Sequence, residues 1–272
     1  RQGARVIELA AVFSLGAIAA AAATFMIYAR RPEPLRAPVA EVGSAAPGPG
    51  GVLGADGLGR DMLSRVLYGL RYTLVITFAA TTLAGAIGVS LAIASGLLRG
   101  WFDILVGRAF DILMSIPHII LALIVLAILG VSMTTLVLTM AVLQSSTYYR
   151  VTRPIAGDLS AMDYVEVARL RGERLGWNLF REIFPNMVPS LLAQYGLGLS
   201  SATLFISSLS FLGIGIQPPA ADLGGLVREN ALALSAGRFT PLVPAACIAL
   251  FCLAVNGIAD WLVGHFSERP ES

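Results

Sequence analysis

Lysine is missing from this chain: all nineteen of its basic residues are arginine. A P-loop needs its lysine to reach the phosphates, so there is no standard Walker A nucleotide site. Schiff-base and Ser–Lys catalysis fall for the same reason. Charge of either sign is scarce, 13% of residues where soluble domains carry about 25%. The net charge of +2 is too small to point to nucleic acid. There are two cysteines, Cys247 and Cys252, inside one apolar run, which gives neither a disulfide framework nor a metal-ligand spacing. They read as small apolar helix residues. The two histidines, His118 and His265, form no H-E-x-x-H, and "IASG" at 93–96 lacks the first glycine of a G-x-S-G. No catalytic residue is indicated, and no cofactor or metal ligand set.

Apolar residues fill the space those absences leave: 56% of the chain is hydrophobic and the mean hydropathy is +0.77. Several runs reach the roughly 20 residues that a helix needs to cross a bilayer. The expected class is an all-α membrane protein with six transmembrane helices. Span one covers about 6–28, and its length and want of an A-x-A site favour a retained span over a signal peptide. Residues 29–71 form a loop rich in Pro, Gly and Ala, ending in an amphipathic stretch on which Met62, Val66 and Leu67 share a face and Asp61 and Arg65 stand as an i,i+4 pair. Residues 72–266 form a five-helix core, with polar loops at about 150–186 and 214–240, and 267–272 is a polar tail.

From Ile112 to Tyr149 no Asp, Glu or Arg appears, enough for two spans turning at Gly130-Val131-Ser132. Pro117 should kink the first of them, which a membrane helix tolerates. Arg108 and Asp111 read as a self-satisfying pair at the start of span three, and Asp260 as a hydrogen-bonding partner of Asn256. With six spans both termini share a side. The 130–133 turn carries no arginine and the 150–181 segment carries six, so the termini and that segment are expected in the cytoplasm.

The segment "DYVEVARLRGERLGWNLFREIFPN", residues 163–186, is the charge-dense exception. Leu175, Leu179 and Ile183 recur every fourth residue, with Phe180 and Phe184 beside them, an apolar stripe on a helix. Gly172 breaks the run upstream, and Pro185 and Pro189 limit the far end. An amphipathic helix lying in the lipid surface satisfies this pattern. So does a docking element, seated in a groove on a soluble partner and moving with the flanking spans.

The spacing of Glu166, Ala168, Gly172, Ile183 and Pro185 resembles the EAA loop of ABC-importer permeases. "GADGLGRDMLSRVLYGLRYTL" and "SFLGIGIQPP" resemble the dipeptide and oligopeptide subgroup, its C-type subunit in particular, as does the long loop after span one. The likeness runs from about residue 5 to 262. Val167 departs from the second position of E-A-A, Phe184 replaces the usual leucine, Leu223-Gly224 replaces a Trp-Gly pair, and "NGIADWLVGHF" lacks the Arg-Asp that commonly follows.

The resemblance implies a type I ABC-importer permease fold in a bacterial inner membrane, importing di- or oligopeptides by alternating access. Its implied partners are a homologous B-type permease in a heterodimer, two cytoplasmic ATPases carrying ATP and Mg, and a periplasmic solute-binding protein, with lipid around the spans. The EAA-like loop would couple to the ATPases through Glu166, Ala168, Arg169, Gly172, Arg174 and Pro185. Asp222, Arg228 and Glu229 would face the binding protein. The competing reading, an ion-coupled secondary transporter of small solutes, needs mid-membrane carboxylates and usually an internal repeat. Asp111 and Asp260 are its only candidates, and no repeat is visible.

Overall fold

The structure, a computed structural model, describes residues 53, 56, 60–98, 100–160, 162, 184–217, 220–235 and 237–267. Expected span one and most of the 163–186 segment lie outside these residues. Seven α-helices occupy the described chain: α1 Met62–Leu98, α2 Gly100–Ser115, α3 His118–Leu129, α4 Met133–Ser160, α5 Phe184–Phe211, α6 Leu223–Asn230 and α7 Leu242–Ser267, with a 3₁₀ turn at Ala231–Leu234 after α6.

Helix α1 is continuous through 37 residues, about 55 Å at 1.5 Å per residue. The amphipathic stretch is therefore the first turns of a membrane helix. Those turns project beyond a hydrocarbon layer of about 30 Å, and Met62 and Val66 pack there on Leu223 and Leu226 of α6 and Ile248 of α7. Further along, Ile76 and Ala80 join Ala122 and Leu126 of α3, Leu136, Met140 and Leu143 of α4, and Ala202, Ile206 and Leu209 of α5. Near the opposite end Ile93 meets Ala156 of α4 and Met187 of α5. The long α1–α4 contact depends on close approach: a Cβ on Gly88 would lie 2.4 Å from the Ser145 carbonyl oxygen. Small residues at crossings are how membrane helices gain van der Waals contact without a hydrophobic driving force.

Among the described residues two helices, α1 over Met62–Gly96 and α7 over Leu242–Gly264, are long and apolar enough to cross a membrane, and α2 with α3 makes a third if that bent pair is one span. Helices α4 and α5 have 28 residues each, ample length, but carry Gln144, Ser145, Ser146 and Thr147, and Ser200, Ser201, Ser207, Ser208 and Ser210. Many of these polar residues face the bundle: Gln144, Ser145, Ser146, Ser200, Ser207 and Ser210 are buried, as are Thr77 and Thr81 of α1 and Thr203 of α5.

The kink expected at Pro117 is a full break of 89° between α2 and α3. Proline lacks an N–H and pushes Ile116 out of the helical region. The Pro117 carbonyl then accepts from the Ile120 and Leu121 N–H groups at 3.0 and 3.1 Å and starts α3. The turn expected at 130–132 is present, with Gly130 at φ +80° and the Ser132 hydroxyl accepting from the Thr135 N–H at 3.1 Å.

Candidate functional site

Three polar assemblies lie along the bundle. At the end where α1 begins, Arg65 is buried and its Nη1 sits 2.7 Å from Asp56 and 2.6 Å from Glu229. Arg60 adds its Nε at 2.8 Å from Asp56 and its Nη2 at 3.4 Å from Glu229. The Asp56 carboxylate also accepts the Arg60 backbone N–H at 2.8 Å. Two arginines and two carboxylates, brought together from residues 164 apart in the chain, join the start of α1 to the end of α6. The pair expected between Asp61 and Arg65 does not form. Asp61 instead accepts from the Ser64 N–H and hydroxyl at 2.9 and 2.5 Å, an N-cap geometry that satisfies an orphan donor of α1.

Asp222 belongs to the same end. It is 1% exposed, so it offers no surface to a partner, and it caps α6 by accepting the Gly225 N–H at 2.7 Å. Its other oxygen accepts the Ser210 hydroxyl at 2.6 Å and the Ile216 N–H at 3.2 Å. Burial lifts this carboxyl above the usual carboxylate range, while the Ser210, Gly225 and Ile216 donors pull it back. The capped residue Leu223 donates its N–H to the Thr73 hydroxyl of α1 at 3.2 Å. The "SFLGIGIQPP" motif closes α5 in a Schellman turn: the Gly213 N–H bonds to Ser210 O and the Ile214 N–H to Leu209 O, both at 3.0 Å. Gly213 stands at φ +91° with the Arg228 guanidinium against it, where a Cβ would lie 2.6 Å from Nη1. Left-handed backbone at the residue after the helix favours glycine. Of the three residues expected to meet a binding protein, Arg228 and Glu229 are exposed, and Glu229 is already engaged by Arg65.

The second assembly is inside. The Gln144 side-chain amide donates to Gly198 O of α5 at 2.6 Å, its oxygen faces the Thr81 hydroxyl of α1 at 3.5 Å, and the Thr203 and Thr77 hydroxyls lie 3.4 Å apart. Such bonds hold helices together where the alternative is an unpaired polar group in hydrocarbon.

The third assembly is at the opposite end. Arg153 of α4 makes a two-point pair with Asp103 of α2, at 2.6 and 2.5 Å. The Tyr149 hydroxyl bonds to Ser95 of α1 at 3.2 Å and reaches Asp103 at 3.5 Å, and its ring stacks on Phe110 with centroids 4.5 Å apart. Beside them opens a cleft of about 580 Å³ lined by Ser95, Gly96, Asp103, Arg150, Arg153, Pro154, Gly157 and Asp158. The pairing expected between Arg108 and Asp111 is not among the ion pairs of the described residues. Asp260 is exposed and makes no hydrogen bond to Asn256, whose Oδ1 is buried without a partner. Both cysteines are free and half-buried.

Of the expected coupling residues, Glu166, Ala168, Arg169, Gly172 and Arg174 lie outside the described residues. Pro185 falls in the first turn of α5, where a missing N–H is harmless. Sequence reasoning missed the Asp56–Arg65–Glu229 and Asp103–Arg153 pairings, because no periodicity links residues so far apart. Gln144 did carry a signal, as the most polar side chain in an otherwise uncharged apolar run. Among the described residues no cluster of His, Cys, Asp and Glu could hold a metal ion.

The model of the binding-protein-dependent transport system inner membrane component family matches residues 84–271. The dipeptide transport system permease protein DppC of Haemophilus influenzae is 34% identical over 79% of this chain and 72% of its own length. The DppC protein of Alkalihalophilus pseudofirmus is 32% identical over 80% and 72%, and the glutathione transport system permease protein GsiD of Pectobacterium atrosepticum is 32% identical over 81% and 73%. Among solved structures, inward-facing forms of the MetNI methionine ABC transporter superpose with a TM-score of 0.63 at 16% identity, covering 75% of this chain and 97% of that one. At that identity the likeness speaks for the fold alone.

Proposed function

Because this chain belongs to the family of binding-protein-dependent transport system inner membrane components, we propose that it is the C-type permease subunit of an ATP-driven importer of di- or oligopeptides. The observation that carries this reading is the run of relatives at 32–34% identity named for dipeptide and glutathione transport, each matched over more than two thirds of its length. On this reading the chain has six spans and cytoplasmic termini, and pairs with a homologous B-type permease. Two ATPases bring the Walker A lysine absent here, and a periplasmic binding protein delivers the peptide.

The described geometry fits that division of labour. The charge-locked end at Arg65 and α6 would be periplasmic, where Arg228 and Glu229 offer exposed charge to the binding protein and Asp222 fixes the loop that presents them. The opposite end leads from Ser160 into the 163–186 segment, where Glu166, Ala168, Arg169, Gly172, Arg174 and Pro185 would dock in the ATPase groove. ATP-driven closure of the ATPases would then tilt α4 and α5 together, since α4 ends and α5 begins at that segment. Ligand binding shifts such an equilibrium only through differential affinity for the two states, which here resides in the ATPases and the loaded binding protein.

The test is co-purification with the neighbouring transport genes, wild type against Gly172→Arg, with dipeptide uptake measured in proteoliposomes. ATPase subunits retained by the wild type and lost with the variant support the reading. Uptake that follows a proton gradient without any ATPase would overturn it.

A further inference from the structure

Helix α2 divides its surface three ways. Asp103, Gly107 and Phe110, spaced i, i+4, i+7, face α4: Asp103 pairs with Arg153, Phe110 stacks on Tyr149, and a Cβ on Gly107 would lie 3.7 Å from the Tyr149 hydroxyl. Trp101, Leu105 and Ile112 form a second stripe, exposed at 76, 60 and 67%. Asp111 and Ser115 mark a third, exposed and polar, which takes in the exposed Ile104 and meets the apolar stripe at Arg108, on the seam between the two. A helix that crosses the bilayer through lipid carries a charged, exposed stripe only where that stripe lines a water-filled path, and a helix in water has no use for an exposed Trp-Leu-Ile stripe. Protein on one side, lipid on the second and water on the third is the environment of a helix lying in the membrane surface.

Two further observations place it there. Helix α3 packs along the first half of α4, and α2 turns 89° away from it. Counting down α4 from Met133, Tyr149 and Arg153 lie at about 24 and 30 Å along the axis, so α2 crosses α4 one hydrocarbon thickness from its other end. The apolar stripe is also continuous, through Ile116, with the exposed Ile119 and Ile120 of α3.

We propose that α2 is an interfacial helix. It lies flat in the headgroup region on the side where α4 ends at Ser160, with Trp101, Leu105 and Ile112 in the acyl boundary and Arg108 and Asp111 in water. The Asp103–Arg153 pair then ties this lipid-seated helix to α4 about two turns before its end at Ser160. The surface is assigned to lipid and not to a second protein chain.

The experiment uses the complete transporter in nanodiscs, in a Cys247→Ala/Cys252→Ala background. A fluorophore is placed at Leu105→Cys, Ile112→Cys, Asp111→Cys or Ser115→Cys and quenched from either phase. Brominated lipids are expected to quench at 105 and 112 about twofold or more beyond 111 and 115, most strongly when the bromine sits near the headgroup end of the chain. Aqueous iodide should give the reverse order. Protection of 105 and 112 from both quenchers would overturn the proposal in favour of a protein partner. Strongest quenching by chain-terminal bromine at all four positions would overturn it in favour of a crossing helix. If a labelled variant does not assemble, the difference in bromolipid quenching between wild type and Trp101→Phe decides the same question.

Discussion

The two ends of the bundle are held by the same chemistry under opposite conditions. At one end Arg65 and Asp56 are almost wholly buried, and their charges are shared among four side chains. At the other, Arg153 and Asp103 form one two-point pair with the arginine about half exposed. Buried charges are stable only while every partner is present, because the low-dielectric surroundings penalise any left unpaired. An exposed pair gains little and loses little, because water and salt replace the partner. One end is built to stay assembled and the other to come apart at small cost.

Breaking the locked end should give the largest effect. Arg65→Ala removes the buried partner that Asp56 and Glu229 share and leaves Arg60 alone to hold both carboxylates, and we expect a loss of about 3 kcal/mol, read as a lowered Tm of the purified complex. A smaller loss would mean that water enters the cluster. Asp222→Ala removes the α6 cap and leaves the Ser210 and Ile216 donors unpaired in a buried site. About 2–3 kcal/mol should be lost, with proteolysis of the 212–235 loop as a second reading.

The exposed end should respond weakly. Arg153→Gln is expected to cost about 1 kcal/mol or less while weakening the link between ATP hydrolysis and transport, measured as the ratio of the two rates. A cost equal to that at Arg65 would erase the distinction between the ends. Salt sharpens the same contrast. At 1 M, where the screening length is about 3 Å, the Tm difference between wild type and Arg153→Gln should shrink and that for Arg65→Ala should persist.

The smallest expected effect is a pH slope. Burial raises the Asp222 carboxyl, so the folded protein holds that proton to higher pH than the unfolded chain does. Stability from this group therefore falls as pH rises from the ordinary carboxylate range through the raised value. Asp222→Asn should flatten that part of the Tm-against-pH curve, and an unchanged curve would show that the three donors cancel the effect of burial.

Much of the fold was legible because hydrophobic length is a local property. The runs at 72–97, 187–213 and 241–265 became α1, α5 and α7 within a few residues, apart from the first turns of α1. There, an amphipathic pattern written for packing against α6 looks like a separate segment. The break at Pro117 was visible as a kink, since any proline removes a helix hydrogen bond. Its 89° angle was not, because the angle depends on what α2 finds to rest on.

By itself, then, the sequence determined the class, a lysine-free, charge-poor helical membrane chain, and the places where its helices start, break and stop. Those follow from side-chain hydropathy and backbone sterics that act within a few residues. Only the tertiary structure decided which charges meet. Asp61 passed over Arg65, Arg65 chose Asp56 and Glu229, Asp103 found Arg153 instead of Arg108 finding Asp111, and Asp222 turned inward to become a cap. Ion pairs are selected by burial and by three-dimensional distance, and the spacing of residues along a chain encodes neither.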